Sequence, residues 1–91
     1  GEYFRDQMHK VIEKNHPAAV KEIRGLGLID GIELNHPSGQ PVVDLCFKDS
    51  NVLINNTNGN VLRFVPPLIV NEQEIDIVIK AVDDAMTKLG W

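Results

Sequence analysis

Ninety-one residues, 43% of them hydrophobic and 24% charged, make one small folded domain and are too few for a typical two-domain enzyme. A formal net charge of −4, with no basic cluster and no interleaved aromatic stripe, excludes general nucleic-acid binding, and no stretch is long and apolar enough to cross a bilayer. Cys46 is the single cysteine, so no internal disulfide can form, which fits a reducing cytoplasm. The chain opens directly in a helical pattern, as a piece of a longer protein would.

Residues 2–15 carry Phe4, Met8, Val11 and Ile12 at three- and four-residue spacing, which predicts an amphipathic helix ending before His16-Pro17. Extended chain follows over residues 23–34, read as a strand pair. There Leu26, Leu28, Ile32 and Leu34 share one face, and Gly27, Ile29, Gly31 and Glu33 share the other. Two glycines on one face invite close approach of a ligand or backbone, or plain packing of a helix on the sheet. His36-Pro37-Ser38-Gly39 is a turn. Residues 40–50 place Val42, Leu45 and Cys46 on one face of a short helix, which Asn51 can close in the left-handed conformation.

A hairpin is predicted next, with strands 52–55 and 60–65 around the polar tip Asn56-Thr57-Asn58-Gly59. Pro66-Pro67 ends the pairing, because neither can donate to a ladder. In the last helix Asn71 caps the start with Glu74 three residues on, and Ile75, Val78, Ile79, Val82, Ala85, Met86 and Leu89 form an apolar stripe. Lys88 and Gly90 mark its end. The pattern predicts an α/β (α+β two-layer) sandwich, a small, mostly antiparallel sheet with helices covering one face.

Arg63 is a lone cation among Val61, Leu62, Phe64 and Val65. On a strand it projects from a mostly apolar ribbon and requires an anion. Its planar fork suits bidentate capture of a carboxylate better than lysine would. A structural salt bridge to one of the thirteen acidic residues is the other reading. His9, His16 and His36 match no metal-ligand spacing and read as solvated surface residues, so no metal is expected. Cys46 has no histidine partner and reads as core, Asp83-Asp84 reads as a solvated face, and no glycine loop can cradle a phosphate. No residue of the chain is a candidate for covalent catalysis.

Two segments together resemble a known family. Val20 through Leu34, with Arg24-Gly25-Leu26-Gly27-Leu28 and Gly31-Ile32-Glu33-Leu34, and the run from Val52 through Val70, with Val61-Leu62-Arg63-Phe64-Val65-Pro66-Pro67-Leu68, look like paired motifs of the class III pyridoxal-phosphate aminotransferases. An acidic helix start follows in both, and the likeness covers nearly the whole chain. It is strongest to the acetylornithine and ornithine aminotransferase branch. Asp30 stands where the family is usually apolar, and Asn51 replaces a common glycine.

The resemblance implies that residues 1–91 are the C-terminal small domain of a fold-type-I aminotransferase. The large cofactor-binding domain would then lie upstream, and the parent would be a cytoplasmic homodimer. It implies that Arg63 binds the α-carboxylate of an amino-acid substrate, acetylornithine or an ornithine-like donor, with 2-oxoglutarate as acceptor. Pyridoxal phosphate would belong to the parent, with none bound to this chain alone, which would be inactive by itself and expose sticky surface. Without the resemblance, a stand-alone carboxylate-binding module or a structural interaction module remains open.

Overall fold

The computed structural model describes residues 2–26, 29–57, 59–64 and 71–91; within these, nothing follows for the side chains of residues 2, 24–26, 29, 30 and 57. The expectations on Gly27, Leu28, Asn58 and Val65, on the Pro66-Pro67 stop, on the remainder of that run to Val70, and on the side chain of Asp30 lie outside this description.

Helix α1 starts as an α-helix over Glu2–Gln7 and continues as a π-helical segment over Met8–Glu13. Phe4, Met8, Ile12 and His16 recur every four residues and are all buried. Four residues overrun one α-turn and fall short of one π-turn, so joining the two keeps this stripe aligned. The segment over 23–34 is two strands, β1 (Val20–Leu26) and β2 (Ile29–Leu34), paired antiparallel with Leu26 against Ile29. The common face assigned to Leu26, Leu28, Ile32 and Leu34 therefore does not run through as one strand. The register shifts between Val20 and Glu22, leaving Lys21 as the bulged residue.

Helix α2 spans Gln40–Ser50, and Asn51 closes it at φ 54°, ψ 35°, a left-handed cap that asparagine tolerates. The backbone N–H of Val52 donates to Cys46 O at 3.0 Å, so the helix end consumes the residues expected to begin a strand. Strand β3 accordingly starts later, at Asn55–Thr57, and β4 covers Val61–Phe64. Asn56 and Thr57, expected at the tip, are paired strand residues, and Gly59 turns the chain at φ +78°. The four strands form one antiparallel sheet in the order β1-β2-β4-β3.

Helix α3 (Glu72–Lys88) begins as expected, with Asn71 Oδ1 accepting from Glu74 N at 2.8 Å and Asn71 Nδ2 donating to Glu74 Oε1 at 3.1 Å. Its buried stripe meets α1 and α2 over one sheet face, where Val20, Ile32, Leu34, Leu62 and Phe64 are buried. The Phe4 and Phe64 rings lie 5.0 Å apart at 55°, a tilted contact joining α1 to β4. Tyr3 Oη donates to Asp76 Oδ1 at 2.8 Å and ties α1 to α3.

Gly39 packs the start of α2 against the sheet. A Cβ there would come within 2.8 Å of both Asn56 Oδ1 and the fully buried Leu62 Cδ2. Gly39→Ala is expected to destabilise the fold by about 1–3 kcal/mol, through overpacking against Leu62, as measured by urea denaturation.

Candidate functional site

The alternation of β4 places Arg63. Leu62 and Phe64 are buried beneath the helices, so Val61 and Arg63 belong to the other face, both half-buried. Arg63 lies opposite Gly31 on β2 and opposite Asn55 on β3. Directly opposed positions bring cross-strand side chains closest, and neither of these neighbours is charged. Glu33, on the same strand as Gly31 and two residues away, has Lys21 Nζ 3.5 Å from its Oε2.

The Arg63 guanidinium consequently has no hydrogen bond or ion pair with the described residues, and the structural salt bridge left open by the sequence is not formed among them. Its nitrogens remain accessible, since Asn56 Oδ1 alone among the described residues is a buried side-chain polar atom without a partner. A half-buried stem with an accessible planar fork of donors can take an anion in bidentate fashion. Gly31 stands on the face away from the helices, where a Cβ would meet Leu62 O at 3.3 Å and Val61 Cγ1 at 3.6 Å. Packing of a helix against the sheet therefore does not explain this glycine. The register that brings Gly31, Arg63 and Asn55 into one row was not assigned from the sequence, although counting outward from Gly59 pairs Asn55 with Arg63.

The other titratable candidates serve the fold. His9 and Glu13 are an exposed pair 2.8 Å apart, and His36 stacks on Trp91 with ring centroids 3.7 Å apart at 8°. His16 corrects the expectation of a solvated surface: it is 4% exposed, and its Nε2 donates to Asp83 Oδ1 at 2.7 Å. It continues the four-residue stripe of α1 into the core, where α3 supplies the carboxylate that makes its burial tolerable. Asn15 Nδ2 donates to the same oxygen at 3.2 Å, so Asp83 is not a solvated face residue either, whereas Asp84 is exposed and paired with Lys80 at 3.1 Å. Among the described residues no group of three side chains could hold a metal ion. No described helix is long and apolar enough to cross a membrane.

A shallow cleft of about 180 Å³ is lined by Asn51, Val52, Leu53, Glu74, Ile77 and Val78. Leu53, Ile77 and Phe47 are large apolar side chains left exposed on this chain.

The family model for class-III aminotransferases matches residues 1–86. The chain belongs to the class III aminotransferases. It is 43% identical over 91 residues to the acetylornithine aminotransferase of Caldanaerobacter subterraneus subsp. tengcongensis, covering 100% of this chain and 22% of that protein. It is 38% identical over 82 residues to an ornithine aminotransferase of Staphylococcus epidermidis, covering 90% of this chain and 19% of that protein. A lysine aminotransferase from M. tuberculosis superposes with TM-score 0.87 at 28% identity, over 98% of this chain and 20% of that one. An ornithine aminotransferase from Toxoplasma gondii, with pyridoxal phosphate at partial occupancy in its active site, superposes with TM-score 0.77 at 28% identity, over 99% of this chain and 21% of that one. The chain thus spans about a fifth of the length of the relatives it matches.

Among the described residues of this class III chain, none is placed to hold pyridoxal phosphate: desolvation in an apolar pocket is one way a Schiff-base lysine is activated, and all six lysines are exposed.

Cys46 is fully buried on α2, and burial, with the nearby Asp49 charge, pushes its thiol from 9.0 up to about 11. Its folded form holds the proton more tightly than the unfolded chain does. The associated stability is complete below pH 9 and is lost as pH rises from 9 towards about 11. Denaturation midpoints are expected to fall more steeply across this window in the unsubstituted chain than in Cys46→Ala.

Proposed function

We propose that residues 1–91 form the C-terminal small domain of a pyridoxal-phosphate-dependent aminotransferase, and that Arg63 binds the carboxylate of its amino-acid substrate. The half-buried guanidinium, without an ion-pair partner among the described residues, carries this reading. A charge held in such surroundings gains most when a ligand supplies the counter-charge, and a bidentate pair fixes orientation as well as affinity. Arg63 would hold the carboxylate still, and thereby limit the positions open to the amino group of the same molecule. The transfer chemistry would rest on pyridoxal phosphate, which class III aminotransferases use, and on residues outside this chain.

The names of the relatives support acetylornithine or an ornithine-like amino acid as donor. The acceptor in this reading is 2-oxoglutarate, whose carboxylate would take the same place in the second half of the reaction. The parent would carry a large cofactor-binding domain upstream and act as a cytoplasmic homodimer. Exposed Phe47, Leu53 and Ile77 support a chain that works as part of a larger assembly.

In the full-length enzyme, Arg63→Lys is expected to raise KM for acetylornithine and for 2-oxoglutarate together, by roughly 10- to 100-fold, through loss of the bidentate pair. The absorbance of bound pyridoxal phosphate should be retained. Unchanged KM values would remove Arg63 from the substrate site.

A further inference from the structure

We propose that Asn55 is a second ligand-binding group of the Arg63 site, donating its side-chain N–H to the carboxylate that Arg63 holds. This inference rests on the reading of Arg63 as the carboxylate anchor.

Asn55 sits directly opposite Arg63 across the β3–β4 pair. Side chains at opposed positions belong to one face, with their Cβ atoms about 4.5–5.5 Å apart. Asn55 is exposed and has no hydrogen bond with the described residues, so its amide is uncommitted. On the other flank of Arg63 the row continues to Gly31, which carries no side chain. The polar groups offered by these three residues are therefore a guanidinium and an amide on one face.

Their chemistry is complementary toward a single kind of ligand. A carboxylate offers about four lone-pair sites, of which a bidentate arginine occupies two, leaving positions for a further donor. The amide of Asn55 can supply one. Being neutral, it does not capture the guanidinium in the absence of ligand, as aspartate or glutamate at the same position would. Asparagine thus adds a donor while leaving the cation open, a combination available to few side chains. Glu33, the carboxylate on the neighbouring strand, is held by Lys21 on β1 and does not compete.

The test is steady-state kinetics of the full-length enzyme with acetylornithine and 2-oxoglutarate, comparing Asn55→Ala and Arg63→Lys. Asn55→Ala is expected to raise both KM values about ten-fold, the scale of one hydrogen bond to a charged group, with kcat and melting temperature unchanged. If Arg63→Lys raises both KM values and Asn55→Ala does not, whether kcat falls or stays the same, the Asn55 assignment is overturned and the Arg63 reading stands. If Arg63→Lys leaves both KM values unchanged, the site itself is misplaced and the Asn55 assignment falls with it.

Discussion

The pairing of β2 with β4 is the constraint from which both the core and the candidate site follow. It sets Ile32 beside Leu62 and Asp30 beside Phe64, and so decides which residues of β4 face the helices. Because side chains alternate with period two, burying Leu62 and Phe64 puts Arg63 on the far face. A slip of one residue would drive the guanidinium into the core and bring Leu62 out, a change with a large penalty in both directions. The tilted contact of Phe4 with Phe64 holds this register from the helical side, so α1, the first element of the chain, helps to position a residue some sixty positions later.

Among the described residues, no counter-charge stands directly opposite Arg63, which leaves it available. Gly31 and Asn55 occupy the opposed positions, and Glu33 has Lys21 at its carboxylate. A domain selected for stability alone gains nothing from a half-buried cation without a partner, since an apolar side chain would pack on the same ribbon at lower desolvation cost. Local disagreement between a residue and its environment of this kind is concentrated at functional positions. The same reasoning separates Arg63 from His16, whose burial is matched by Asp83 and which therefore serves cohesion between α1 and α3.

Features decided locally were legible in the sequence. The extent of α2, its left-handed end at Asn51, the Asn71–Glu74 cap and the buried stripe of α3 all follow from contacts within a few residues. The antiparallel two-layer architecture was legible as well, and so was the position of Arg63 on a strand. Features decided by distant partners were not. The burial of His16 depends on a carboxylate 67 residues away, and the π-helical segment depends on keeping a four-residue stripe against the sheet and α3. The hairpin was displaced because Val52 is committed to the end of α2 through Cys46, a competition that alternation of apolar residues does not reveal. That displacement matters for the site: with the tip over residues 56–59, Asn55 would end its strand at the turn, whereas the observed register makes it the direct neighbour of Arg63.

A carboxylate anchor on the central part of an antiparallel sheet differs in kind from one on a loop. Arg63 is flanked by paired strands on both sides, and its backbone cannot shift without breaking ladders to β2 and β3 together. In the proposed reading this rigidity is what the domain contributes. In that reading the amine chemistry belongs to residues outside this chain, whose own lysines are all exposed, so the two ends of one substrate molecule would be held by different parts of the protein. The distance between those parts would then select which amino acids are aligned, because a carboxylate gripped by a bidentate arginine cannot slide to compensate for a misplaced amine. Selectivity for the donor would accordingly depend on the packing between this domain and the remainder of the enzyme, as well as on the residues that touch the substrate.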